Sequence, residues 1–218
     1  MNKNIIICCP GHSFSGKFIK CLTHLIRYLN SKGFKVYFCN TYSRNIYEVR
    51  NKCMLGTPEG GVDQKPFNGL EYDYILWIDD DIIFTPEDFQ KLYKEDKEVI
   101  SGLYLMANNT QFAVVEFWDE EYFQTHGSFE FLNKEDINTR LLPFKVEYVG
   151  FGFVLFKHGI FEKLKYPWFE PTYLHIKDAK DFSMEDVTLC LKLKKEKIDL
   201  YVHPEVVLGH QKTIELRI

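Results

Sequence analysis

The chain has 218 residues, enough to bury a proper core as one α/β domain or two small ones. Its 45% apolar and 27% charged residues are those of a soluble globular protein. A net charge of −4 with no basic block argues against nucleic acid as a partner; the nearest cluster, Lys192 to Lys197, reads as the solvated face of a helix. None of the six cysteines forms C-x-x-C, so they read as buried thiols of a reducing compartment and not as a zinc site or disulfide framework.

The apolar run Ile5 to Cys9 predicts a strand buried on both faces, too short for a signal peptide or a membrane span. No later segment is long enough to span a membrane either, although the chain could be a piece of a longer, multidomain protein. Phe18, Leu22, Leu25, Ile26 and Leu29 recur at helical spacing, with Gly33 as a stop. Phe34 to Cys39 predicts a second strand, and Ile46, Val49, Cys53 and Met54 a second helix carrying Arg50. After a Gly/Pro-rich loop, Tyr74 to Ile78 predicts a third strand that ends in Asp79-Asp80-Asp81. Thr85-Pro86-Glu87-Asp88 opens a helix with an N-cap, a proline in the first turn and two acids. Val99 to Leu105 predicts a fourth strand. The alternation to this point implies a largely parallel, helix-covered sheet.

The second half is mixed. Phe112 to Trp118, Lys145 to Val149 and Phe153 to Phe156 are strand-like, and the connection 119–142 is long, polar and able to cover a site. A helix is expected over 183–196, then strands at Leu200 to His203 and Val206 to Leu208.

Two segments suggest nucleotide chemistry. Gly11-x-x-x-x-Gly16-Lys17 follows a strand and opens a helix, as a phosphate-cradling P-loop does, and would make the chain a nucleotide triphosphatase or kinase. Against this, Phe18 stands where a metal-binding hydroxyl belongs, and it also belongs to the apolar face of the helix. The stronger segment is the aspartate run. Carboxylates at the carboxyl end of a strand lie where α/β sheets bind ligands. On an extended backbone Asp79 and Asp81 would project to one side and could hold Mg²⁺ or Mn²⁺, which in turn holds a diphosphate. Asp80 would point to a ribose or sugar hydroxyl. The competing reading is an acidic turn capping the next helix, but Thr85 already has that task.

Three weaker signals accompany it. His210 and Lys212, near the C-terminus, could add a metal ligand and a diphosphate contact. Ser183-x-x-Asp186 has the form of a capping box, while Glu185 or Asp186 could serve as base or accept a substrate hydroxyl. Tyr148, Phe151, Phe153, Tyr166, Trp168 and Phe169 could form a sugar-stacking wall; most are expected in the core, and Trp168, between two prolines, is the one expected to be exposed.

In order and spacing, "YDYILWIDDDIIFTPEDF", "VGFGFVLFKHGIFEKL" and "SMEDVTLCLKLKKEKIDLYVHPEVVLGHQK" resemble consecutive blocks of the GT-A class of nucleotide-sugar glycosyltransferases, among them small enzymes of large DNA viruses that infect chlorella-like algae. The resemblance runs from about Ile5 to Lys212. It implies a single GT-A-like α/β domain with a Rossmann-like, mostly parallel sheet flanked by helices and a mixed C-terminal half. Residues 1–105 would form the nucleotide-binding half and 106–218 the acceptor-binding half. It implies Asp79, Asp81 and His210 as metal ligands for Mn²⁺ or Mg²⁺, with Asp80 near the ribose or donor sugar. Pro10, Gly11, His12, Tyr42 and Arg50 would hold the nucleotide. Lys212 would support the diphosphate, and Glu185 and Asp186 would face the sugars. The implied reaction, part of viral glycan synthesis in the host cytoplasm, moves a hexose from a UDP-sugar to a glycan hydroxyl. The late His-x-Lys resembles retaining members.

Overall fold

The computed structural model describes residues 3–213. In chain order the first half is β1 (Lys3–Cys8), α1 (Gly16–Ser31), β2 (Phe34–Cys39), α2 (Ile46–Cys53), β3 (Tyr74–Ile78), β4 (Ile82–Ile83), α3 (Pro86–Lys94) and β5 (Val99–Leu103). The second half is β6 (Val114–Val115), α4 (Glu120–His126), α5 (Lys134–Asn138), β7 (Phe144–Val146), β8 (Tyr148–Val149), β9 (Phe153–Lys157), α6 (Ile160–Lys163), β10 (Tyr173–Ile176), β11 (Ala179–Phe182), α7 (Glu185–Lys195), β12 (Leu200–Val207) and β13 (Gly209–His210).

Seven strands form one sheet in the order β2-β1-β3-β9-β5-β12-β7. Parallel pairing of β1 with β2 and β3, and of β5 with β12, leaves β9 and β7 as the two reversed strands. The sheet is thus mostly parallel, and it draws strands from both halves of the chain. Alternation along β1 builds a core on each face: Ile5, Ile7 and Cys9 pack with Phe18, Leu22 and Leu25 of α1, whereas Ile6 and Cys8 join Trp77, Met54 and Phe169 on the other side.

Local chemistry fixes the helix starts. Ser15 Oγ accepts from Phe18 N–H at 3.0 Å and caps α1. Thr85 and Asp88 form a full capping box at α3, with Pro86 in the first turn, as the sequence predicts. At α7 the expected box does not form. Met184 is the N-cap with no side-chain bond, and the Ser183 hydroxyl lies between Thr172 and Thr188.

Other expectations change in detail. The stretch 112–118 yields only the two-residue β6, and 144–149 splits into β7, which joins the main sheet, and β8, which pairs with β6. The connection 119–142 contains α4 and α5. Leu200 to Val207 is one strand whose register shifts between Val202 and Val207. Trp168, expected to face a ligand, is fully buried, as are Phe151, Phe153 and Phe169. These rings belong to the core, where Trp77 and Phe169 meet edge to face at 5.3 Å.

Candidate active site

The aspartates sit where the pairing of four strands converges. β3 stops at Ile78, and the backbone then turns, with Ile82 N–H donating to the Asp79 carbonyl at 3.1 Å. Asp79 and Asp81 are therefore not two residues of an extended strand, as expected, but opposite sides of a tight turn. The two carboxylates are held by different basic groups: Asp79 by Arg50, and Asp81 by His210 and Lys212.

Asp81 faces the C-terminal segment. β13 pairs antiparallel with β4, placing His210 opposite Ile82, and Gln211 N–H donates to the Asp81 carbonyl at 2.8 Å. His210 Nε2 lies 3.0 Å from Asp81 Oδ2, and Lys212 Nζ donates to the same oxygen at 2.7 Å. Burial works against charge on Asp81, but His210 and Lys212 outweigh it and hold the carboxyl below its ordinary value. His210 is raised in return, chiefly by its bond to Asp81. Its Nδ1 donates to the Leu105 carbonyl at 2.6 Å and its Nε2 to Asp81, so the ring as it stands carries both protons, and Nε2 is the nitrogen a metal would take once it gives up its proton.

Asp79 faces the other way, toward Arg50 of α2 and Glu185 of α7. Arg50 Nη2 is 3.1 Å from Asp79 Oδ1, and Nε donates to Glu185 Oε1 at 3.0 Å. Arg50 and Glu185 are 3% and 4% exposed, so this is a buried bridge between two helices and the turn. The guanidinium also lies over the Trp77 and Phe151 rings. Two of its polar atoms are unpartnered, Arg50 Nη1 and Glu185 Oε2. Burial raises Asp79 above the ordinary carboxylate value despite Arg50, with Asp81 adding to the effect. Asp80 is also raised, by burial and then by Asp81.

Beside Glu185, Asp186 accepts from the Tyr148 hydroxyl at 2.8 Å. Burial, then the Glu185 charge, pushes its carboxyl up to about 6. The Gly150-Phe151-Gly152 turn lies alongside because β3 and β9 pair antiparallel, and Asp79 N–H donates to the Gly152 carbonyl at 3.0 Å. A Cβ on Gly150 would come within 2.0 Å of the Tyr104 hydroxyl, so glycine there makes room for this buried tyrosine. Tyr104 in turn meets the His210 ring edge to face at 5.0 Å.

The loop after β1 forms the adjoining wall. A Cβ on Gly11 would meet Asp80 Oδ2 at 2.6 Å, so only glycine lets this loop approach the aspartate turn so closely. Gly11 N–H donates to the Thr41 carbonyl at 3.1 Å, and Asn40 Nδ2 ties Cys9 and Gly11 through their carbonyls. His12 and Tyr42 place their rings 4.7 Å apart, tilted by 59°, with Tyr42 54% exposed. Pro10 is buried. Phe18 packs on Phe14 and Phe84 in the core, and Lys17 is an exposed α1 residue. That arrangement supplies no hydroxyl for a P-loop metal.

Sequence reasoning missed Asn40, Tyr104 and Gln211, whose Oε1 accepts from Ser15 Oγ at 2.6 Å and links the His210 segment to α1. Tyr148 was foreseen as a sugar-stacking ring and is instead the partner of Asp186. No local motif marks these roles.

Among the described residues no three His, Cys, Asp or Glu side chains form a ready cluster for a metal ion. Arg50 draws Asp79 toward α7 while His210 and Lys212 hold Asp81. The donor set nevertheless fits a divalent ion. Two ligand atoms, each about 2.1 Å from an ion and at right angles, stand about 3.0 Å apart. Asp81 Oδ2 and His210 Nε2 stand 3.0 Å apart as hydrogen-bond partners, a separation an ion could take over by replacing the shared proton, since Leu105 holds Nδ1 and leaves Nε2 as the ligating nitrogen. The carboxylate suits Mg²⁺ or Mn²⁺, and the imidazole favours a first-row transition ion over Mg²⁺.

No protein-family model matches the sequence, and no curated protein is similar to it at the sequence level. Solved structures are similar in fold. A197 from STIV aligns over 99% of this chain and 97% of its own, with a TM-score of 0.50 and 18% identity. GalNAc-T7, solved with UDP, GalNAc and Mn²⁺, aligns over 98% of this chain at a TM-score of 0.58 and 10% identity; the chain spans 44% of its length. A Drosophila β1,4-galactosyltransferase 7 mutant with manganese, UDP-Gal and xylobiose aligns over 97% of this chain and 71% of its own, at a TM-score of 0.51 and 11% identity. Sheet order, helix layers and these alignments agree that the chain has the fold of the GT-A glycosyltransferases.

Proposed function

We propose that the chain is a metal-dependent glycosyltransferase that moves a sugar, of hexose type, from a UDP-sugar to a glycan hydroxyl. The observation that carries this reading is the Asp81–His210–Lys212 group at the carboxyl end of β3. A carboxylate, an imidazole and a half-exposed lysine at the edge where α/β folds bind ligands support it. Structures of the same fold were solved with UDP and Mn²⁺.

Asp81 and His210 would hold the ion, with Asp79 joining from the same turn once it leaves Arg50. The ion, when bound, neutralises the diphosphate and makes it a better leaving group. Lys212 would then turn from Asp81 to the phosphates and stabilise the charge that develops there. His12 and Tyr42 would flank the base, Pro10 and Gly11 would line the ribose with Asp80, and Arg50 would hold Asp79 and Glu185 in place.

In the retaining assignment, which the His-x-Lys order favours, the departing phosphate takes the acceptor proton and Asp186 holds a sugar hydroxyl. A second reading has one observation behind it. A carboxylate raised to about 6 and oriented by Tyr148 is suited to act as general base, which would give inversion. The anomeric configuration of the product, read by NMR, separates the two.

The binding test is thermal. UDP with Mn²⁺ should raise Tm, chelation should abolish the rise, and ATP with Mg²⁺ should have no such effect. Asp79→Asn with Asp81→Asn should remove the UDP response. A double variant that still responds fully, or a wild type stabilised by ATP alone, would sink the proposal.

A further inference from the structure

Of the rings first expected to stack on sugar, Tyr148, Phe151, Phe153, Trp168 and Phe169 are buried and Tyr166 is half-buried, but two other rings are exposed. β10 and β11 form an antiparallel hairpin in which Tyr173 pairs directly with Phe182. Their rings lie 4.1 Å apart, tilted by 40°, and are 62% and 58% exposed. Met184, 60% exposed, continues the patch. The opposite face of β10 carries the half-buried Leu174 and Ile176, which line a cleft with Trp118, Val187 and Leu191 that also reaches His175. The alternation of the strand therefore spends its inward positions on the core and presents an aromatic pair outward.

The position of this pair matters. Only Ser183 and Met184 separate Phe182 from Glu185 and Asp186. The hairpin is fastened there, not free: Ser183 N–H donates to the Thr172 carbonyl at 2.7 Å, and the Ser183 hydroxyl lies 2.5 Å from the Thr188 hydroxyl within α7. The two rings thus sit on a hairpin whose base is fastened to the helix that carries the carboxylates. His175 and Lys180, paired across the hairpin and exposed, add polar groups along the same strands. Apolar rings with polar groups beside them match a pyranose, which has an apolar face of axial C–H bonds and a rim of hydroxyls. A protein partner would not need this pairing with the carboxylates.

Resting on the glycosyltransferase reading, we propose that Tyr173 and Phe182 are the acceptor platform, binding a pyranose through its axial C–H face and steering one of its hydroxyls toward Asp186.

Saturation-transfer NMR on the full chain with UDP and Mn²⁺, using methyl β-galactoside and methyl β-glucoside as probes, tests this. Saturation should concentrate on the axial-face protons of at least one probe. Tyr173→Ala with Phe182→Ala should reduce the effect about tenfold. Tyr173→Phe should retain it, because the ring and not the hydroxyl stacks. The UDP and Mn²⁺ thermal response should be the same in all variants. Equal saturation in the double variant, or no saturation of either probe by a wild type that does bind UDP, would overturn the platform. So would a wild-type dimer that the double variant splits, since the patch would then be an interface between copies. A wild type with no UDP response fails at the earlier step, the transferase reading itself.

Discussion

Asp186 combines a buried carboxylate with a place beside the site. Its folded pKa, raised to about 6, exceeds the ordinary carboxylate value, so ionising it opposes folding. The penalty is absent below the unfolded value and sets in as pH rises toward about 6. Asp186→Asn should therefore raise Tm at pH 7, and the gain should shrink as pH falls below about 6. Turnover should move in the opposite sense. In the wild type kcat/KM should climb to a plateau above about 6, and the variant should lose that limb with a fall of about 10²–10⁴ if Asp186 is the base. A pH–rate profile alongside thermal melts reads both. Two more positions are decided by close approach. Gly11→Ala would drive a methyl into Asp80 and should weaken UDP binding and not only stability. Trp168→Ala should cost about 3–5 kcal/mol by denaturant unfolding, as a core ring and not a ligand wall.

Between elements, the Arg50 bridge is the junction that matters most. It joins α2, the aspartate turn and the first turn of α7, with Arg50 and Glu185 out of water and Asp79 partly exposed. Arg50→Met leaves Glu185 and Asp79 without their cation and should destabilise by about 3–5 kcal/mol. Adding Glu185→Gln should recover part of that loss in urea melts, because the buried negative charge then disappears. No recovery would mean that the arginine acts mainly by packing on Trp77 and Phe151. None of this bridge was legible in local sequence. Arg50 read as a nucleotide contact on an amphipathic helix, and Glu185 as half of an acidic pair, because pattern reveals which face of a helix is apolar but not what a charge meets 135 residues away.

Across the whole molecule, stability should be uneven. β1, β3, β9 and β5 are flanked on both edges and buried on both faces, whereas β10–β11 is a separate exposed hairpin. Amide hydrogen exchange should be slowest in the four central strands and fastest in 173–182. Equal protection in the hairpin would mean that its face is covered in solution. Among the described residues no helix is long and apolar enough to cross a membrane.

By itself, the sequence determined the alternating first half, the caps of α3 and the presence of an aspartate run at the end of β3. These depend on hydrophobic period and on side chains bonding their own backbone, which are properties of neighbours in the chain. Only the tertiary structure decided which strands lie side by side, that Asp79 and Asp81 face different partners, and which aromatics reach water. β9 enters between β3 and β5, and β13 returns to β4 from the far end of the chain. Such pairings are selected by the burial of whole faces, and no short segment encodes them. An aromatic residue looks the same in either setting, so Trp168 reads as a ligand contact until the fold puts it in the core and leaves Tyr173, unmarked in the sequence, on the surface.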